Sequence, residues 1–249
     1  MPRFFIRQNQ IAGDIATIVG EDAHHISRSL RMAAGEHVTL CDMQSMEYDC
    51  ELIGFYPDRV EARICSSRKG DTEPPYRAHL FQALTKGDKF EAVIQKSVEC
   101  GVFDITPFES ERCIVRLKGE GDSSKLERWQ RIALEAAKQS GRGILPTVRS
   151  GEKLKGVLQK GKTFDLALFC YEGEKEISIK TALQKAVLPK DRLPEIAILI
   201  GSEGGFSQNE AEQAKEYGWI SIGLGKRILR TETASSVALS CLLYEWELS

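Results

Sequence analysis

The chain reads as an α/β protein: a small N-terminal β-barrel followed by a larger domain of alternating strands and helices. Three observations predict this. Short strand-like segments separated by turn-rich pieces fill residues 1–67. Residues 68–75, Arg68-Lys69-Gly70-Asp71-Thr72-Glu73-Pro74-Pro75, have the charge, glycine and paired proline of a linker. From Tyr76 onward strand and helix patterns alternate, as in a sheet covered by helices. The boundaries that follow are residues 1–70 for the barrel and 74–249 for the α/β domain.

In the first domain residues 38–41, 48–53 and 59–65 read as strands, with Gly54-Phe55-Tyr56-Pro57-Asp58 as a turn between the last two. Their even spacing suggests a small barrel, preceded by one helical insert over residues 21–32. In the second domain residues 78–84 form an apolar strand. The helix after it keeps Phe90, Val93, Ile94 and Val98 on one face and stops at Gly101. Residues 102–106 give a second strand, closed by Pro107. Ser124 with Glu127 offers a capping box to a helix carrying Leu126, Trp129, Ala133 and Ala136. Residues 164–170, 196–200 and 219–222 read as further strands, and residues 232–246 as the last helix.

Composition sets limits. A length of 249 residues allows two modest domains, and 42% hydrophobic with 28% charged residues is ordinary for a globular chain. A net charge of -2 gives no bulk attraction for a polyanion, so a nucleic-acid partner would need local clusters of Arg and Lys. No apolar run approaches the roughly 18 residues of a membrane span. The charged start at Met1 to Arg7 has no apolar stretch behind it, so no secretory signal is expected and the cytoplasm is the expected location. Seven cysteines are odd in number and form no CxxC pair, and the four histidines lack ligand spacing. Free thiols and no metal are expected.

The most informative segment is Ile200-Gly201-Ser202-Glu203-Gly204-Gly205-Phe206-Ser207-Gln208-Asn209-Glu210. An apolar strand enters a glycine turn, and Ser207 with Glu210 then opens a helix as a capping box. Ligands of open α/β sheets bind beyond the carboxyl ends of strands, which suits a ligand loop. The run matches neither phosphate-binding glycine motif. Glu203 inside the turn would repel a phosphate, so hydroxyls, an adenine edge or a positive centre fit better. On this segment alone, a tight turn without a ligand serves equally well. A missing Cβ at Gly204 would let a ligand approach the backbone.

A second strand end changes the balance. Residues 219–222 run into Gly223-Leu224-Gly225-Lys226-Arg227-Ile228-Leu229-Arg230-Thr231-Glu232-Thr233-Ala234. Two glycine-bearing loops can then meet over one pocket. Cations around Ile228 and Leu229 suit a planar or apolar group facing an anionic polymer, although a solvated basic loop has the same composition.

These two loops together resemble the ribosomal RNA small subunit methyltransferase E family of the SPOUT superfamily. The resemblance extends through Lys96, Glu99-Cys100-Gly101-Val102, Ile105-Thr106-Pro107, Ser110-Glu111-Arg112-Cys113 and residues 135–142 with Leu145-Pro146. His25, Leu30-Arg31 and Gly35 extend it into the first domain. Ser202 stands where the family usually has proline, which loosens the loop by about 0.4–1 kcal/mol.

The resemblance implies methyl transfer from S-adenosylmethionine to N3 of a uridine in small-subunit (16S) ribosomal RNA. It also implies a PUA-like RNA-binding barrel, a SPOUT-type trefoil-knotted α/β domain, a homodimer, and the 30S particle or its RNA as partner. True knots are rare, and nothing in periodicity points to this one. By the same resemblance the cofactor lies against Ile200, Gly201, Glu203, Gly204, Leu224, Gly225, Ile228 and Leu229, with Thr233 at the helix start. The strand end Phe169-Cys170-Tyr171-Glu172 forms a third wall, with Phe169 and Tyr171 as its cofactor contacts.

Uracil N3 must lose a proton before attack, and negative charge then spreads onto the flanking carbonyl oxygens. The site therefore needs a cationic donor, for which Arg230 is the candidate, and a proton acceptor. Glu232 or Glu203 is a candidate acceptor, but Glu232 equally suits a helix N-terminus. For RNA the candidates are Arg3, Arg7, Arg28, Arg31, Arg112 and Arg142; a stripe of Arg128, Arg131, Lys138 and Arg142 also reads as a solvated helix face. The last helix is apolar around most of its circumference, which suggests cover from a second subunit. The alternatives are a SPOUT enzyme acting on transfer RNA and a non-catalytic RNA-binding protein.

Overall fold

The computed structural model describes residues 1–116 and 123–248, which divide into two compact units. The first comprises Met1–Glu73 and Ala137–Leu145; the second comprises Pro74–Ala136 and the residues from Pro146 onward. Residues 137–145, read from sequence as part of the α/β domain, are held in the first unit by ion pairs. Glu73 accepts from Arg142 Nε and Nη2 at 2.9 and 2.6 Å, and from the backbone N–H groups of Gly143 and Ile144. Lys138 reaches Asp22 at 2.7 Å. These contacts are long-range in sequence, so local patterning carries no trace of them.

The first unit contains β1 (Arg3–Phe5), β2 (Ile11–Ala12), β3 (Ile15–Val19), β4 (His37–Cys41), β5 (Met46–Phe55) and β6 (Arg59–Lys69). They form one curled sheet in the order β1-β4-β5-β6-β3-β2. Only β1 with β4 is parallel. Alternation drives the strands: Val38 and Leu40 are fully buried while Thr39 between them is not. With Phe4, Ile18, Ile26, Leu52 and Val60 they make one core. The helical insert is α1 (Gly20–His24), continuing as a π-turn over His25–Ser29.

The second unit contains β7 (Arg77–Ala83), α2 (Lys89–Glu99), β8 (Val102–Glu109) and most of α3 (Ser123–Gln139). Then come β9 (Thr147–Val148), β10 (Glu152–Lys153), α4 (Leu154–Leu158), β11 (Leu166–Cys170), α5 (Ile179–Lys185), β12 (Glu195–Ile200), α6 (Gln208–Glu216), β13 (Ile220–Ile222) and α7 (Thr231–Trp246). The sheet is wholly parallel, in the order β10-β8-β7-β12-β11-β13, with β9 also on β8. Strands covered on both faces need apolar residues throughout. The five residues of β11 and five of the six in β12 are buried accordingly.

Two local expectations change. β8 runs through Pro107 to Glu109, because Pro107 falls where its outer neighbour passes from β9 to β10, a place where a missing donor is tolerated. Ser124 lies inside α3, which starts at Ser123, so it is not the residue before the helix. α7 leaves the sheet edge at β13 and returns to pack on α2, α5, β7 and β12. Among the described residues no helix is long and apolar enough to cross a membrane.

Candidate active site

Because the sheet is parallel, the carboxyl ends of β11, β12 and β13 lie along one edge, and the loops leaving them meet there. The β12 loop folds as a tight turn in which the Gly205 N–H donates to the Ser202 carbonyl at 3.0 Å. Gly205 has φ +64°, a conformation that glycine adopts without penalty. Ser207 then caps α6: its Oγ accepts from the Glu210 N–H, and its own N–H donates to Glu210 Oε2 at 2.8 Å. The expected capping box is present. Phe206 anchors the turn from below, its ring 4.4 Å from that of Phe169 and 6.3 Å from that of Phe108.

Gly204, on the pocket wall, also makes room for Arg112. A Cβ there would stand 3.0 Å from Arg112 Cβ, and the Arg112 guanidinium donates to the Gly204 carbonyl at 3.1 Å. The bare backbone is needed for Arg112 to lie across the loop. In the β13 loop, Gly223 donates to the Ile177 carbonyl and accepts from Ile179 N–H, and a Cβ would sit 2.8 Å from the Glu174 carbonyl. The Tyr171 N–H donates to Ile222 O at 3.0 Å and so joins the β11 end to β13.

Together these ends enclose a pocket of about 590 Å³, a usual size for a small-molecule site. Of the residues expected around a cofactor, Tyr171, Ile200, Gly201, Glu203, Gly204, Leu224, Gly225, Ile228 and Leu229 line it, and so does Arg230. Phe169, Thr233 and Glu232 do not. Phe169 is fully buried inside β11, short of the strand end, with its ring packed against Phe206. Thr233 points outward from the first turn of α7.

The sequence reading assigns no pocket role to Lys89, Glu174 or Thr231, all of which line it, as do Glu172, Lys226 and Arg227 from the expected wall and loop. Lys89 opens α2, directly after the loop that leaves β7. Its signal was the Lys86-Gly87-Asp88-Lys89 run at another strand end, with Gly87 at φ +61°.

Charge in the pocket is divided. On one side Lys89 Nζ binds Glu203 Oε1 at 2.9 Å. Burial pushes the Glu203 carboxyl up, but the hydrogen bond and charge of Lys89 together with backbone N–H bonds outweigh it and hold that carboxyl below its ordinary value. Glu203 is therefore a fixed carboxylate and a weak proton acceptor. Cys170 is buried in the wall, and burial pushes its thiol up, leaving it neutral.

On the other side the side chains of Lys226, Arg227 and Arg230 have no hydrogen-bond or ion-pair partner among the described residues. Glu232 occupies the first turn of α7, with Oε2 buried and unpartnered. Ser202 Oγ is likewise buried and unpartnered.

The arginines proposed for RNA fall into two groups. Arg7, Arg28 and Arg31 are exposed on the first unit, and Arg112 is exposed beside the β12 loop. Arg3 is largely covered and paired with Glu47 at 2.6 Å. Arg142 is only 3% exposed and is committed to Glu73, so its side chain is not offered to a phosphate. In the helix stripe Arg128 pairs with Glu91 and Lys138 with Asp22. Among the described residues no group of three or more His, Cys, Asp or Glu is placed to hold a metal ion.

A parallel sheet with a ligand pocket at its carboxyl edge, after a small curled β-sheet, is the architecture of an RNA methyltransferase. The RNA methyltransferase domain family matches residues 72–243, and the RNA methyltransferase PUA domain matches residues 18–65. The chain is 36% identical to ribosomal RNA small subunit methyltransferase E of Bacillus subtilis (strain 168), over 100% of this chain and 98% of that one. Among solved structures, ribosomal RNA small subunit methyltransferase E from Neisseria gonorrhoeae bound to S-adenosyl methionine superposes with a TM-score of 0.86 at 32% identity, covering 99% of this chain and 98% of that one. A Legionella pneumophila protein in complex with the bound cofactor SAM gives 0.85 at 32% identity over 97% and 96%. The chain belongs to the ribosomal RNA small subunit methyltransferase E family.

Proposed function

We propose that this protein transfers a methyl group from S-adenosylmethionine to N3 of a uridine in small-subunit ribosomal RNA. The observation that carries this reading is the single pocket formed by three adjacent strand ends, with an unpaired Arg230 at its wall.

The pocket fits the cofactor's chemistry. Ile200, Leu224 and Leu229 offer apolar surface, loop backbone offers hydrogen bonds, and Glu172, Glu174 and Glu203 offer carboxylates to positive groups. When bound, the cofactor supplies an electrophilic methyl group. The protein's own part is positional and electrostatic. The β12 and β13 loops hold the two reactants in line. Arg230, always charged and with paired donors, meets the negative charge that forms on a uracil carbonyl as N3 gives up its proton to water. Glu232, in the first turn of α7 and off the pocket wall, favours the helix end electrostatically, and that place supports a structural role.

Arg7, Arg28, Arg31 and Arg112 are the proposed phosphate contacts, and the 30S particle or its RNA is the proposed partner. A homodimer is also proposed: half-buried Val237 and Cys241 and exposed Tyr244 lie on α7, where a second copy would cover them. The test is calorimetric titration with S-adenosylmethionine, followed by transfer of its labelled methyl group to isolated 30S particles. Saturable binding and label in the small-subunit RNA support the reading. Binding without transfer favours a non-catalytic RNA-binding protein, and label in transfer RNA favours the other SPOUT activity.

A further inference from the structure

The first turn of α7 is joined to the β12 loop by a buried hydrogen-bond relay. Gln82, near the end of β7, is fully buried and lies beside Ile200 in the ladder. Its Nε2 donates to Thr231 Oγ1 at 2.9 Å and to its neighbour's carbonyl, Ala83 O, at 3.2 Å. Thr231 Oγ1 in turn donates to the Gly201 carbonyl at 2.5 Å.

A hydroxyl carries one proton and turns freely, so by itself it does not choose a partner. With the Gln82 amide on its acceptor side, the Thr231 proton is committed to Gly201. The side chain that ordinarily accepts from a helix's first amides is that of the residue just before the helix. Here the Arg230 side chain, just before α7, caps no amide, and the Thr231 hydroxyl reaches outward to another strand end. What the relay fixes is the spacing between Gly201, on the pocket wall, and Arg230, one residue before Thr231.

We propose that Gln82 and Thr231 are positioning residues for methyl transfer, setting Arg230 against the loop that holds the cofactor. The inference rests on the function proposed above and names residues that act through Gly201 and Arg230 without touching the reacting atoms. A misplacement of about 1 Å can cost on the order of 10²-fold in rate, so the signature is a fall in turnover with cofactor affinity largely kept.

The test compares wild type with Thr231→Val, Thr231→Ser, Gln82→Met and the Gln82→Met/Thr231→Val pair. Melting temperature, S-adenosylmethionine affinity and single-turnover methylation at saturating RNA are measured for each. Thr231→Val should lose roughly 10–100-fold in turnover with cofactor affinity within about threefold of wild type. Thr231→Ser should restore the rate. The pair should be little slower than Thr231→Val alone, since both changes cut one relay and coupled residues are non-additive.

A folded Thr231→Val variant with wild-type turnover overturns the inference. So does a loss shared equally with cofactor affinity and not restored by serine, which would mark a mere staple of α7. If Thr231→Val does not fold, Gln82→Met decides by the same two readouts. A wild-type protein that neither binds the cofactor nor methylates RNA removes the proposed function itself, an outcome distinct from variants that match an active wild type.

Discussion

Replacing Arg230 with alanine separates chemistry from folding more cleanly than any other change at this site. The side chain is exposed, caps no helix amide and has no partner among the described residues. Its loss therefore removes no fold contact, and stability should stay within about 0.5 kcal/mol, the usual range for such surface positions. Its proposed task is to meet charge that exists only as N3 gives up its proton, so its contribution is larger in the transition state than in the ground state. Removing one such donor typically costs about 10²–10³ in rate, or roughly 2.7–4 kcal/mol of barrier. Single-turnover methylation at saturating RNA is the assay, with S-adenosylmethionine affinity measured separately. The variant should bind cofactor almost normally and react a hundredfold or more slowly. A wild-type rate at saturating RNA would show that Arg230 only holds a phosphate, and the catalytic assignment would be wrong.

Three further outcomes follow from the structure. Phe206→Ala removes the ring beneath the β12 loop and should cost about 3–5 kcal/mol, with cofactor affinity falling too; a denaturant melt and a titration check both, and unchanged affinity would mean that the loop does not depend on its anchor. Arg142→Ala strips a buried partner from Glu73 and should destabilise by about 3–5 kcal/mol; loss of RNA affinity with unchanged stability would return Arg142 to the RNA-binding set.

The third concerns pH. His79 places Nδ1 3.0 Å from Asp104 and Nε2 2.5 Å from Glu195, while Arg149 pairs with Asp104 and Arg77 with Glu195. Burial pulls the imidazole pKa down, but the two carboxylates outweigh it and raise it above the ordinary value. Burial pushes the Asp104 carboxyl up, but its bonds to His79 and Arg149 hold it below the ordinary value. A raised histidine stabilises fully below its unfolded value of about 6.5 and fades as pH rises through the folded one; a lowered Asp stabilises above about 3.9 and fades as pH falls through its folded one. The advantage of wild type over His79→Gln in melting temperature should therefore be greatest between these limits and shrink in alkali. An advantage that is flat from pH 5 to 9 would show that the histidine is not held charged.

Much of this architecture is legible in sequence wherever the signal is local. Alternation marks β4, β5 and β6; the apolar run and the Ser207–Glu210 pair mark β12 and the start of α6. The β12 and β13 loops announce the pocket through glycine at a strand end, and they are the residues that carry the family resemblance. What stays hidden depends on distant partners. β1 has three residues, too few for alternation to register, and exists by pairing with β4. Arg142 looks like one more surface cation until Glu73, 69 positions away, is placed on it. Gln82 and Thr231, 149 positions apart, show nothing in their local sequence of the bond between them. Phe169 is expected at the pocket from its place near a strand end, yet it lies inside β11 with its ring packed on Phe206.

The central claim is a reaction at one atom of one base, and nucleoside mass spectrometry addresses it directly. Small-subunit ribosomal RNA lacking the modification would be incubated with the protein and S-adenosylmethionine, digested to nucleosides and compared with an Arg230→Ala control. The account predicts 3-methyluridine in the wild-type reaction and little in the control. Methyl groups found on ribose or on another base, or no methylation by a protein that binds the cofactor, would contradict it.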